Sequence, residues 1–157
     1  MSDTARDDRW LFARALLAFL ALPGVVAFVV PLALLRPAGI RALTPAGGVV
    51  VSVGIVLLLW CVRDFYVAGR GTLAPWSPPR HLVQVGLYRV SRNPMYLGVL
   101  VIVTGWAIGF GSRALAVYAM VLAVAFHLRV RYGEEPWLAR RHGAAWDTYR
   151  ARVRRWL

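Results

Sequence analysis

Residues 93–128 read NPMYLGVLVIVTGWAIGFGSRALAVYAMVLAVAFHL, two apolar runs divided by GFGSR at 109–113. The runs at 93–112 and 114–128 contain no Asp, Glu, Lys or Arg. A helix needs about 20 apolar residues to cross a bilayer core, so the first run is long enough. The second run is shorter, and it can span the core if the Arg129 side chain extends its charged end to the headgroups. Because glycine tolerates positive φ, the divider predicts a tight antiparallel hairpin of two membrane helices.

Two further windows without formal charge precede the hairpin, at 15–35 and 42–62. Each is long enough for one membrane crossing. Pro23 and Pro31 lie inside the first window and are expected to kink it, because each removes a backbone donor that a neighbouring helix or side chain must compensate. We therefore predict an all-α integral membrane bundle of four transmembrane helices, forming a single domain over residues 1–157 with a cytoplasmic loop and an amphipathic C-terminal helix.

The composition also favours a membrane protein. The 157-residue chain is 59% hydrophobic, which is more apolar material than a soluble domain of this size buries. Its 19 cations are all arginine and give, against seven acids, a net charge of +12. They bracket the apolar windows, which favours anionic lipid headgroups over nucleic acid as their partner. A single cysteine, Cys61, excludes an intramolecular disulfide and a cysteine-cluster metal site, and we predict no metal site.

The distribution of arginine predicts the orientation. With the amino terminus in the cytoplasm, the inner segments 1–14, 63–92 and 129–157 hold 16 arginines and the outer segments hold 3. This excess predicts a multi-pass protein with both termini cytoplasmic. Polar chemistry is then expected on the cytoplasmic side, in the segments 63–98 and 129–157.

The long inner connector 63–92 is rich in glycine and proline, and loops of that length usually carry function. Gly69 and Gly71 allow close approach of the backbone to a ligand, and amides near glycine can hold an anionic group. An ordinary turn explains the same Gly-x-Gly equally well. At the start of the third window, Asn93 is predicted to cap the helix and Pro94 to take its first position. Tyr96 lies in the first turn, either to stack on a ligand or to anchor the helix at the interface.

Two adjacent acids, Glu134 and Glu135, follow the fourth window in a tail otherwise dominated by arginine. Arg131 and Glu135 are four residues apart, so one interpretation is a helical ion pair. The other is that glutamate binds the ammonium and arginine the carboxylate of one zwitterionic ligand. From Glu134 onward one helical face is apolar and the other basic, which predicts an amphipathic helix on the inner leaflet that Gly143 weakens locally. The predicted apolar face comprises Leu138, His142, Ala145, Tyr149, Val153 and Trp156.

Three blocks in order, GRGTLAPW, HLVQVGLYRVSRNPMYLG and GEEPWL, with a hydrophobic hairpin between the last two, resemble the membrane methyltransferases that include isoprenylcysteine carboxyl methyltransferase and the phospholipid N-methyltransferases. The resemblance covers about residues 65–153. It implies that S-adenosylmethionine binds on the cytoplasmic side, and it implies Arg131, on the substrate side, and Glu135 as catalytic residues. The cofactor-binding residues that it implies are Gly69, Gly71, Arg80, His81, Leu82, Val83, Tyr88, Asn93, Pro94, Met95, Tyr96, Glu134 and Glu135.

We therefore predict S-adenosylmethionine-dependent methyl transfer to a lipophilic small molecule or lipid reached from the bilayer, with an amine, carboxylate or thiol as acceptor. His81, Glu134 or water could take a proton from an amine or thiol, and the spacing selects none of them. A second hypothesis is an NADPH-dependent reductase of the sterol reductase type, in which arginines 70, 80, 89 and 92 would face phosphates. A third is a non-enzymatic membrane protein that binds a partner or anionic lipid.

Overall fold

The computed structural model describes residues 20–36, 42–69 and 82–157, and the regular elements among them are helices. A π-helix, Leu20–Val29, continues into α1. A 3-10 turn, Gly86–Arg89, precedes α3, and a π-helical turn, Val130–Glu134, joins α4 to α5. The α-helices are α1 (Val30–Leu35), α2 (Pro45–Gly69), α3 (Pro94–Phe110), α4 (Arg113–Arg129), α5 (Glu135–His142) and α6 (Ala144–Arg152).

Two helical stretches in the described part of the chain are long and apolar enough to cross a membrane, Pro45–Asp64 and Arg113–His142. The helical stretches Pro23–Leu35 and Pro94–Phe110 are apolar but shorter. Each predicted window thus coincides with an apolar helix, except that residues 15–19 lie outside the described residues. The count of four crossings stays a prediction.

The fourth window, the shortest in the sequence, belongs to the longest helical stretch. Helix α4 ends at Arg129, but the helical stretch continues through the π-helical turn and α5 to His142, because charged residues do not break a helix. Thirty residues span about 45 Å at 1.5 Å per residue, against a bilayer core of about 30 Å. The helical stretch that carries the two glutamates is therefore longer than one crossing requires.

Helices α2 and α3 pack at close range through glycines. A Cβ on Gly54 would lie 2.6 Å from Cγ1 of Ile102, and one on Gly105 would lie 2.7 Å from the backbone nitrogen of Val51. A Cβ on Gly47 would overlap the backbone of Gly109. Small residues on both surfaces let the backbones approach closely, as in many membrane helix pairs.

The expected compensation for Pro31 is confirmed. Proline at this position leaves the carbonyl of Ala27, four residues earlier, without its usual helical donor. The indole Nε1 of Trp106 on α3 donates to that carbonyl at 2.9 Å. The hydroxyl of Tyr118 on α4 donates to the adjacent carbonyl of Val26 at 3.0 Å. Two helices of the bundle thereby fix the irregular segment in place.

The hairpin turn between α3 and α4 also follows the prediction. Gly111 ends α3 in the left-handed conformation, with φ of 58°. Ser112 then caps α4, its hydroxyl accepting the backbone N–H of Leu115 at 3.4 Å. Only two residues therefore connect the helices.

The expected single C-terminal helix is wrong. At Gly143, φ of 49° and ψ of −125° lie outside the helical region and separate α5 from α6. The chain leaves helical geometry again at Val153, where φ is −117° and ψ is 130°. Arg154 then forms a parallel β-bridge with Ser91, immediately before α3. The C-terminal segment thus lies against the start of α3, and the predicted continuous apolar face is divided.

Candidate functional site

Glu134 and the start of α3 meet across the hairpin. The π-helical turn includes Glu134 and ends immediately before Glu135, and such turns recur at functional sites. The hydroxyl of Tyr96, in the first turn of α3, donates a hydrogen bond to Oε1 of Glu134. Nε of Arg129 donates to the same oxygen at 2.9 Å and to the Tyr96 hydroxyl at 3.1 Å. These three residues are referred to below as the Tyr96 triad.

An aromatic surface accompanies the Tyr96 triad. The ring of Phe126 on α4 lies 4.4 Å from the Tyr96 ring, centroid to centroid, at an angle of 41°. The Glu134 side chain is 35% exposed and that of Arg129 is 54% exposed, so the carboxylate is accessible from solvent. A carboxylate beside two aromatic rings attracts a weakly hydrated cation. A cationic ligand at this carboxylate would share it with the guanidinium of Arg129, which already pairs with Oε1.

Glu135 faces the other way and is occupied by two arginines. Arg155 approaches it in a forked geometry, with Nη2 2.7 Å from Oε2 and Nε 2.9 Å from Oε1. Nη1 of Arg92 lies 3.0 Å from Oε1. Burial raises the pKa of Glu135, but the hydrogen bond from Arg155 and the charge of Arg92 outweigh it, so the pKa lies below its ordinary value. This carboxylate is ionised and fully engaged.

The predicted pairing of Arg131 with Glu135 is wrong. The guanidinium of Arg131 lies over the ring of its neighbour Tyr132, 5.5 Å from the centroid, and both side chains are exposed. Glu135 instead recruits Arg92 and Arg155 from distant parts of the sequence. The structure therefore does not bring Arg131, predicted as a catalytic residue, to the Tyr96 triad.

The start of α3 is held by the C-terminal segment. Pro94 occupies the first turn as predicted, but the Asn93 side chain makes no capping bond to α3. Its amide Nδ2 donates instead to the backbone oxygen of Arg155 at 3.0 Å. Ser91 donates to that oxygen at 3.3 Å and accepts the backbone N–H of Asn93 at 3.1 Å. The C-terminal segment thus orients the first turn of α3, which contains Tyr96.

Three of the other predicted cofactor residues, Val83, Tyr88 and Met95, belong to or pack against a second cluster. Val83 and Tyr88 are buried with Cys61 of α2, and Met95 packs against this cluster. Leu82, the residue before Val83, is half-buried. Gly69 is the last residue of α2, whereas Gly71, Arg80 and His81 lie outside the described residues.

Tyr88 is anchored from the C-terminal side. The hydroxyl of Tyr149 on α6 donates to the backbone oxygen of Tyr88 at 2.7 Å. Burial raises the pKa of Tyr149 to about 12, so the hydroxyl keeps its proton at physiological pH. Trp146, one turn earlier, is 2% exposed, and the guanidinium of Arg92 lies 5.4 Å from its ring centroid. Helix α6 therefore supports both the segment before α3 and the ion pair of Glu135.

Sequence reasoning missed three charged residues near these elements, Asp64, Arg129 and Arg155. Asp64 carried a signal, because it is the sole acid between Asp8 and Glu134. Arg129 was interpreted only as a residue that reaches the headgroups. Arg155 gave no signal, since nothing in a run of tail arginines marks which one folds back onto a glutamate 20 residues earlier.

The family comparison covers Asp64 and Arg129 but not Arg155. A family model described as phospholipid methyltransferase matches residues 43–145, more than half of the chain. The match contains α2, the hairpin and all three members of the Tyr96 triad. Neither the search of curated proteins nor the search of solved structures gave a significant match.

Proposed function

The chain belongs to the phospholipid methyltransferase family, whose members are membrane methyltransferases. From that premise we propose that it transfers a methyl group from S-adenosylmethionine to a lipophilic acceptor reached from the bilayer. The observation that carries the proposal is the hydrogen bond from Tyr96 to Glu134. Tyr96 belongs to the block HLVQVGLYRVSRNPMYLG and Glu134 to the block GEEPWL, so this bond joins the second and third blocks at one end of the predicted membrane hairpin.

The residues present suit the methyl donor. S-adenosylmethionine supplies a methyl group on a positively charged sulfonium. Glu134 offers a partly exposed carboxylate, and Tyr96 and Phe126 offer ring faces beside it. Carboxylate and aromatic faces both attract a cation that water hydrates weakly. This combination favours the sulfonium, rather than the more strongly hydrated ammonium, as the group nearest Glu134.

Each member of the Tyr96 triad has a separate part in the proposal. Glu134 and the Tyr96 ring bind and orient the donor, since methyl transfer depends chiefly on alignment and on keeping water out. Arg129 holds both through Nε, which fixes the carboxylate against the ring. Glu135 positions the helix start through Arg92 and Arg155 and does not touch the reacting atoms.

The acceptor is proposed to arrive from the membrane. The helical stretch from the start of α4 to the end of α5 is longer than one crossing requires, which supports placing the Tyr96 triad near the level where lipid headgroups begin. The bias of arginine to segments 1–14, 63–92 and 129–157 supports a cytoplasmic site with both termini on that side.

Transfer of radiolabelled methyl from S-adenosylmethionine to fractionated membrane lipids tests the proposal. The protein should label a lipid fraction, Glu134→Gln should abolish most of the labelling, and Asp147→Asn should not affect it. Asp147 is a suitable control because its carboxylate is 60% exposed and paired only with Arg150 on the same helix. No labelled lipid, together with thermal stabilisation by NADPH but not by S-adenosylmethionine, would favour the reductase hypothesis instead.

A further inference from the structure

Asp64 is a buried acid that the proposed mechanism has not used. It lies near the end of α2, and its side chain is 5% exposed. Oδ1 is 3.4 Å from Nη1 of Arg63, whose own side chain is 71% exposed. Oδ2 is buried and accepts no hydrogen bond from the described part of the chain. One carboxylate oxygen is therefore without a partner among the residues that the structure describes.

Asp64 lies where α2 meets the segment before α3. Gly86 adopts a positive φ of 55°, and a Cβ at this position would overlap Oδ2 of Asp64. Glycine here lets the carboxylate come close to the backbone. Val83 and Tyr88, in the same segment, pack with Cys61, which is three residues before Asp64. Oδ2, which has no partner among the described residues, thus lies among residues that the family resemblance assigns to the donor.

A buried carboxylate needs a positive or donating partner. Leaving such an oxygen without one is unfavourable, and a native protein that retains it calls for an explanation. Arg63 is a weak partner because it is long and solvent-exposed. A primary ammonium would supply both the missing charge and up to three N–H donors. A neutral hydroxyl would supply a donor but leave the charge uncompensated.

We propose that Asp64 binds the ammonium group at the amino acid end of the methyl donor. This inference rests on the proposed function, since it assumes S-adenosylmethionine as donor. It divides the recognition of that molecule between two acids: Glu134 attracts the sulfonium, and Asp64 pairs with the ammonium.

Calorimetry on the full-length protein with two ligands tests this assignment. S-adenosylhomocysteine carries the ammonium but no sulfonium, and its deaminated analogue carries neither. Asp64→Asn should weaken S-adenosylhomocysteine binding by about 10- to 100-fold, the range for one charged hydrogen bond, and leave binding of the analogue unchanged. Asp147→Asn should leave the ratio of the two dissociation constants as in the wild type. The melting temperature without ligand should stay equal or rise in Asp64→Asn, because an unpaired buried charge is removed.

Each outcome bears on a distinct claim. An unchanged ratio in Asp64→Asn overturns the ammonium assignment while leaving the proposed function intact. Equal weakening of both ligands with a lower melting temperature overturns it too, since that result indicates a structural residue. If the wild type binds neither ligand, the proposed function fails and this inference with it. Asp64→Ser, smaller and also uncharged, gives a second measurement of the ratio if the asparagine variant does not fold.

Discussion

Replacing Glu135 with glutamine should destabilise the protein far more than replacing any exposed acid. The Glu135 side chain is 15% exposed, and its partners Arg92 and Arg155 are 12% and 28% exposed. Removing one member of a buried ion pair costs about 3–5 kcal/mol, because the remaining charge loses its compensation. Here two arginines would face each other without the carboxylate, and Nε of Arg92 already lacks a hydrogen-bond partner in the described part of the chain.

A loss of about 3 kcal/mol, the lower end of that range, corresponds to about 6–12 °C in melting temperature for a chain of this length. Thermal unfolding of the detergent-solubilised protein measures it. Asp147→Asn is the matched control, since both side chains of its ion pair are more than half exposed, and it should shift the melting temperature by about 2 °C at most. A shift in Glu135→Gln no larger than in the control would refute the structural role of this glutamate.

The same comparison has a predicted pH dependence. The pKa of Glu135 in the folded protein is lowered. Its contribution to the free energy of unfolding is therefore fully present above the pKa of the unfolded state, about 4.3, and is lost as the pH falls through the pKa of the folded state. The difference in melting temperature between the wild type and Glu135→Gln should therefore stay constant from pH 7 to about 5 and shrink below about 4. A melting-temperature difference that grows on acidification would contradict the predicted direction of the pH dependence.

Two further predictions concern packing and a buried hydrogen bond. Gly54→Ala should cost about 1–3 kcal/mol, because its Cβ would lie 2.6 Å from Cγ1 of Ile102, whereas Gly48→Ala, with an ordinary contact at 3.6 Å, should be neutral or stabilising in the same unfolding assay. Tyr149→Phe should cost about 1–2 kcal/mol, since a buried carbonyl loses its 2.7 Å donor, while Tyr132→Phe at a side chain 69% exposed should change nothing. Equal melting temperatures of Gly54→Ala and Gly48→Ala would refute the close packing at Gly54. Equal melting temperatures of Tyr149→Phe and Tyr132→Phe would refute the stabilising role of the Tyr149 hydrogen bond.

The sequence predicted the helices well because their signals are local. Charge-free windows marked four apolar helices, and GFGSR marked the two-residue turn between α3 and α4. Pro31 indicated that a neighbouring helix or a local side chain would have to compensate for the missing donor, and Trp106 and Tyr118 of neighbouring helices do so. Each of these inferences follows from the hydropathy or backbone chemistry of neighbouring residues.

The arrangement of charged side chains could not be predicted in the same way. The spacing of Arg131 and Glu135 suggested a helical pair, but Glu135 took partners from before α3 and from the C-terminal segment. Long-range ion pairs depend on how the chain returns on itself, which Gly143 and the extended residues after α6 determine. The two adjacent glutamates therefore looked equivalent in sequence and differ in the fold.

Titration calorimetry of Glu134→Gln against the wild type, with S-adenosylmethionine and S-adenosylhomocysteine as ligands, tests the central assignment most directly. The two ligands differ by one methyl group and the sulfonium charge. If Glu134 and Tyr96 bind the positively charged end of the donor, the variant should lose about 10-fold or more in affinity for S-adenosylmethionine and much less for S-adenosylhomocysteine. Equal affinities of wild type and variant for both ligands would contradict the account.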